Sequence, residues 1–95
     1  MKGESMGIKV HIHGTHRGAT DGKGVVETRG KTVGECLTNL VQTYPGMQDV
    51  LFDKKGKLRN LIEIYVNHES AYPDELRKTT RDGDEIHLTF MLAGG

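Results

Sequence analysis

Few side chains in this sequence are of a kind that does chemistry. None pairs a nucleophile with a base and an orienting group at a spacing that would build a catalytic centre. The candidates are the terminal stretch Leu92-Ala93-Gly94-Gly95, a His11-x-His13-x-x-His16 cluster, and a lone cysteine, Cys36. Glycine lacks a side chain and reaches backbone conformations closed to other residues. A Gly-Gly end can therefore thread a narrow channel and place a terminal carboxylate, here that of Gly95, in another protein's active site. A carboxylate is a poor electrophile until it is activated. Transfer of AMP from ATP makes an acyl adenylate, which a sulfur nucleophile converts to a thiocarboxylate and an amine to an amide. No Gly-x4-Gly-Lys-Ser/Thr loop is present to hold phosphates, so the activation must come from a partner. Taken alone, such a tail reads equally well as ordinary terminal disorder.

The other candidates have plain readings beside their chemical ones. Imidazoles at His11, His13 and His16 are metal donors for zinc or nickel. Yet a half-exposed strand needs polar residues at alternate positions in any case, and that simpler reading is preferred; His87 is placed to sit beside them. Cys36 falls on the apolar stripe of a helix with no cation close in sequence, so it is expected to be a buried small hydrophobe, not a nucleophile. Lys54, Lys55, Lys57 and Arg59 read as a solvated turn that meets acidic partners at most through faster encounter.

The elements that must position the tail are legible from periodicity. Ile8, Val10 and Ile12 alternate with Lys9, His11 and His13, the period of a strand with one buried face. Gly14 to Gly24 reads as a turn and Val25 to Arg29 as a second strand, completing a hairpin. Thr32 and Glu35 form a capping box. Val33, Cys36, Leu37, Leu40, Val41 and Tyr44 then follow at helical spacing until Pro45-Gly46 stops the helix. Met47 to Phe52 reads as a short helical turn and Asp53 to Lys57 as a charged turn. Leu61 to Val66 reads as a strand, Asn67-His68 as a turn, and Ala71-Tyr72 as too short to assign. Asp82-Gly83 turns the chain into a last strand, Glu85 to Met91, with Ile86, Leu88 and Phe90 inward. Tyr65, His87, Thr89 and Met91 then face away from the helix beside Glu63. Such a face suits a partner, and a tail needs a docking surface to steer it.

Strand, strand, helix, strand, a short segment and strand, with the helix on one sheet face, is the α+β class. The β-grasp is the economical arrangement for that order, with a mixed sheet of four to five strands. Residues 1–95 read as one domain, with 1–5 frayed and 92–95 a flexible tail. Thirteen basic and thirteen acidic side chains cancel, which argues against nucleic acid and against a basic membrane patch. The sparse aromatics also count against an RNA-binding module. No apolar run is long enough to span a membrane and no leader is visible, so a cytoplasmic protein is expected. One cysteine excludes an internal disulfide and a cysteine-held iron–sulfur cluster.

Several segments resemble the ThiS/MoaD-like family of ubiquitin-like sulfur carriers. Gly30-Lys31-Thr32-Val33-Gly34-Glu35 is similar to the family's helix opening and Tyr44-Pro45-Gly46 to its helix end. Leu51-Phe52-Asp53 and Leu58-Arg59 resemble the approach to its third strand, and Ile64-Tyr65-Val66-Asn67 that strand and its turn. Asp82-Gly83-Asp84-Glu85-Ile86 resembles the entry to its last strand, and Leu92-Ala93-Gly94-Gly95 its end. The resemblance implies a carrier with no catalytic centre of its own, countable at most as a small subunit of a molybdopterin synthase. It implies no tightly bound cofactor. A ubiquitin-activating-type enzyme would spend ATP to adenylate Gly95, and a persulfide-bearing sulfurtransferase or desulfurase would supply sulfur. A biosynthetic enzyme making molybdopterin, the thiamin thiazole or cysteine would then take it. Leu92, Ala93 and Gly94 would thread the partner's active site. A protein modifier joined to lysine through Gly95, and a β-grasp binding module with an inert tail, are the alternatives. The chain departs from the family at Asn67-His68, where relatives often carry Asn-Gly, at His16-Arg17, where many carry Leu-Arg, and at Thr89, where some are apolar.

Overall fold

The computed structural model describes residues 7–90. Five strands form one sheet: β1 (Ile8–His11), β2 (Val25–Thr28), β3 (Ile62–Val66), β4 (Glu69–Ser70) and β5 (Glu85–Phe90). Their order is β2-β1-β5-β3-β4. The first and last strands of the chain therefore lie side by side at the centre. They pair parallel, and every other pair is antiparallel. This is the mixed sheet of a β-grasp, of α+β class, as the element order predicts.

Helix α1 (Val33–Thr43) begins where the capping box requires. Thr32 Oγ1 accepts from the Glu35 amide at 3.2 Å, and the Glu35 carboxylate accepts from the Lys31 amide at 2.9 Å. The second bond reaches one residue upstream of the cap itself, a small variation on the expected box. Val33, Cys36, Leu37 and Leu40 are all buried. They join Ile8, Val10, Ile64, Ile86 and Leu88 from the sheet in one core. Alternation works as expected: Val10, Ile86 and Val66 lie in one cross-sheet row and all point inward. Gly30 is required where the chain enters α1, because a Cβ there would lie 2.7 Å from the Cys36 amide nitrogen.

The short helical turn expected at Met47 to Phe52 is a five-residue helix, α2 (Met47–Leu51), which buries Met47 and Leu51. The segment expected to be a turn between β1 and β2 contains a 3₁₀ helix, Gly14–Thr20. His13 Nδ1 accepts from the Thr15 amide at its start, and Arg17 Nε donates to the Ile12 carbonyl beneath it. Its last residue, Thr20, is fully buried, and its hydroxyl lies 2.8 Å from the Lys23 carbonyl. Seven residues rich in glycine and threonine carry no 3.6-residue stripe, so periodicity does not reveal them. The short strand unassigned at Ala71-Tyr72 lies two residues earlier, because the turn at Asn67-His68 has only two central residues. Both have positive φ, 51° and 72°, the signature of a type I′ hairpin.

Candidate functional site

The sheet face away from α1 is built by register. One cross-sheet row runs Val25, His11, His87, Tyr65 and Ser70. The neighbouring rows pair Lys9 with Glu85 and Glu63 with Thr89. All five positions of the first row are exposed or half-buried. Tyr65, His87 and Thr89 thus share the outer face, as predicted. The Tyr65 hydroxyl lies 3.4 Å from the Glu63 carboxylate, and Thr89 Oγ1 donates to the Glu63 carbonyl at 3.3 Å. These links hold the face in shape while leaving it open. The remaining site residues read from the sequence, Met91, Leu92, Ala93, Gly94 and Gly95, lie outside the described residues, as does the fraying expected of residues 1–5. Strand β5 ends at Phe90, directly ahead of them.

The three clustered histidines do not converge. His13 follows β1 and caps the 3₁₀ helix, and His16 lies within that helix with its ring 4.3 Å from that of Phe90. The break comes at the end of β1, where the backbone leaves the strand and its two-residue alternation. His11 instead meets His87 across the parallel β1–β5 pairing, with ring centroids 4.0 Å apart and planes within 4°. His68, on the two-residue hairpin turn, places its ring 5.2 Å from that of His87. Glu85 completes the group, its carboxylate 2.7 Å from His11 Nε2.

The electrostatics follow from this packing. The hydrogen bond from His11 holds the Glu85 carboxyl below its ordinary carboxylate value. Burial pushes the His87 imidazole below its usual value, and the neighbouring His11 and His68 push it the same way. His87 Nδ1 is buried and has no hydrogen-bond partner among the described residues. Cys36 behaves as expected. It is fully buried, and burial pushes its thiol up, partly offset by the Thr80 hydroxyl 3.6 Å away. The lysine-rich turn is organised by Asp53, whose Oδ1 accepts from the amides of Lys55 and Lys57.

Sequence reading missed Glu85 and His68 as members of the histidine group. The signal was available. In a β-grasp the first and last strands are adjacent, so residues two apart on each strand share a face.

Comparison with known proteins adds to this geometry. The ThiS family model matches residues 10–95. The chain belongs to the ThiS family. The sulfur carrier protein CysO of Mycobacterium tuberculosis is 32% identical over 93 residues, covering 95% of this chain and all of that one. A chain in the crystal structure of the Amycolatopsis orientalis BexX/CysO complex superposes with a TM-score of 0.83. It is 30% identical and covers 93% of this chain and 99% of that one. The crystal structure of SAMP1 from Haloferax volcanii gives a TM-score of 0.80 at 26% identity, over 93% and 98% of the two chains. These relatives are small carriers and modifiers of β-grasp shape. Among the described residues, no helix is long and apolar enough to cross a membrane.

Proposed function

We propose that this protein carries sulfur on the carboxylate of Gly95. The observation that supports this most is the kinship to CysO, which extends over the whole of that sulfur carrier. The family match also runs through Gly95. In the first step the Gly95 carboxylate attacks the α-phosphorus of ATP in the active site of a ubiquitin-activating-type partner, and pyrophosphate leaves. The outer sulfur of a persulfide on a sulfurtransferase or desulfurase then attacks the acyl carbon, AMP leaves, and an acyl disulfide forms. A second thiol of that donor or of the activating enzyme attacks the donor's own sulfur, forming a disulfide there and freeing the acyl-bound sulfur as the thiocarboxylate. The chain binds no nucleotide itself; its outer face, Tyr65, His87, Thr89 and Met91, docks on the partner while Leu92, Ala93 and Gly94 enter the partner's channel. A biosynthetic acceptor then removes the sulfur. The acceptors to test are those that make cysteine, molybdopterin and the thiamin thiazole, beginning with cysteine because the CysO sulfur carriers are matched over their full length at 32% identity.

A second reading has its own support. A small archaeal modifier protein 1 of Haloferax volcanii is 34% identical over 64 residues. The same acyl adenylate, attacked by a lysine amine in place of sulfur, joins Gly95 to another protein as an amide.

Intact mass spectrometry separates the outcomes. The protein is incubated with ATP, sulfide and a candidate activating enzyme, beside a variant lacking Gly94 and Gly95. One oxygen exchanged for sulfur, mapped to Gly95 and absent from the truncation, is the expected result. A ladder of covalent adducts on a denaturing gel supports the modifier instead. Neither adenylate nor thiocarboxylate with any activating enzyme overturns the carrier reading.

A further inference from the structure

We infer that His11, Glu85 and His87 form a binding site for a divalent transition-metal ion, with zinc the best fit. The inference does not depend on the carrier reading, although His87 also belongs to the outer face proposed there to dock the partner. One donor atom from each of the three residues lies within 4.8 Å of the others. They come from two strands only. Lys9 pairs with Glu85 and His11 with His87 in the parallel β1–β5 register, so the backbone itself sets the spacing. Two imidazoles and one carboxylate are a donor set that zinc accepts, with a fourth position left for water or for a partner's side chain. The set is too rich in nitrogen for magnesium or calcium, which take oxygen donors.

Three features distinguish this group from a chance row of polar residues. His87 Nδ1 is buried without a hydrogen-bond partner among the described residues, and such an atom calls for a ligand or a proton acceptor. His11 Nε2 and the Glu85 carboxylate already face one another at 2.7 Å, so a metal that takes the place of the shared proton finds both donors aimed at it after a small separation. The third feature is His68. It sits on the two-residue turn with φ 72°, a positive value that is uncommon outside glycine but that histidine adopts more readily than most residues. That turn sets one more imidazole beside the site, its ring 5.2 Å from that of His87.

Coordination requires a small local change. The His11 and His87 rings are stacked with parallel planes, so their in-plane lone pairs do not converge on one point. Donor atoms around a tetrahedral zinc ion sit about 3.3 Å apart, given bonds of about 2.0–2.1 Å. Rotation about the terminal imidazole torsion, which is broad and soft, closes that gap without moving the backbone. His11 gives up the proton on Nε2 or moves it to Nδ1, and the Glu85 carboxylate turns from that proton to the metal. Both side chains are accessible for this, His11 being 32% and Glu85 46% exposed.

The test is isothermal titration of the full chain with zinc chloride at neutral pH, with magnesium chloride as a control. Wild type is expected to bind one zinc ion per chain and no magnesium. Each of His11→Gln, Glu85→Gln and His87→Gln is expected to weaken zinc by about tenfold or more, while the double variant His13→Gln/His16→Gln stays within about twofold. Imidazole nitrogen NMR of wild type should show the His11 and His87 resonances shifting on zinc addition and those of His13 and His16 unmoved. Melting curves without zinc confirm that the half-exposed variants remain folded. Absence of saturable binding overturns the inference. So does equal loss in the His13/His16 variant, or a stoichiometry of one ion per two chains.

Discussion

Cys36 bears directly on the sulfur chemistry proposed for Gly95. The thiol of Cys36 is enclosed by α1 and the sheet and lies against the Thr80 hydroxyl. Burial raises its pKa, and the thiolate is the reactive form. We predict that it resists a disulfide reagent such as Ellman's at neutral pH and reacts fully once denatured; rapid native labelling would show that α1 opens readily. The same residue is thereby removed as a sulfur-bearing nucleophile, which leaves the proposed transfer to the Gly95 carboxylate. Asp53 shows how a single surface carboxylate shapes a turn. Its Oδ1 accepts first from the Lys57 amide and also from that of Lys55, and these bonds hold its pKa below the ordinary value. A carboxyl depressed on folding contributes stability that is complete above the unfolded value of about 3.9 and lost as pH falls through the folded value. Wild type should therefore melt higher than Asp53→Asn near neutrality, and the difference should close in acid below both values. A difference that persists in acid would mean that charge is not its source.

Elements, not isolated residues, explain which parts of the fold could be read in advance. Helix α1 is legible because its start, its stripe and its stop are all local: Thr32 and Glu35, then Val33 to Leu40, then Pro45. Leu37 and Leu40 are buried in the shared core, and truncating either to alanine should cost about 2–5 kcal/mol in urea unfolding. The strands are legible for the same reason, since β1, β3 and β5 alternate cleanly. What could not be read depends on tertiary contact. The 3₁₀ helix at Gly14–Thr20 is held by a side-chain cap from His13 and a hydrogen bond from Arg17 to Ile12, neither of which leaves a periodic trace. The histidine group follows from which strands become neighbours, so a cluster judged by sequence spacing gathered His13 and His16 and omitted Glu85 and His68. The turn between β3 and β4 sits between these cases. Asn67 is anchored by bonds to Asp84 and to the Glu85 amide, and it tolerates positive φ. His68 has positive φ as well, and among the described residues its side chain makes no such anchoring hydrogen bond. Replacing it with glycine should raise stability by about 1 kcal/mol by relieving that strain, read as a higher urea midpoint at unchanged slope. No gain would mean that the imidazole stacking on His87 offsets the backbone cost.

At the scale of the whole molecule, the sheet has two faces with separate duties. The inner face carries the buried Val10, Ile64, Ile86 and Leu88, which meet α1 and set stability. The outer face carries His11, His87, Tyr65 and Thr89, which the core does not need. Strand β5 contributes to both, and its described part reaches Phe90, two residues ahead of the proposed threading segment. This arrangement lets recognition and reactivity be separated from folding by mutation. Tyr65→Lys changes a half-buried outer position whose only side-chain hydrogen bond among the described residues is the long one to Glu63. It should move stability by less than about 1 kcal/mol, as surface changes usually do. If the outer face docks the activating enzyme, the same change should raise the KM for this protein by about tenfold or more, as removal of an interface aromatic does, with little effect on kcat. Deletion of Gly94 and Gly95 should do the reverse. Such a chain still competes with wild type for the activating enzyme, because the docking face is intact, yet forms no thiocarboxylate. Competition kinetics with the two variants decide the matter. A truncated chain that fails to compete would place recognition in the tail. A Tyr65→Lys chain with unchanged KM would move the docking surface off the outer face.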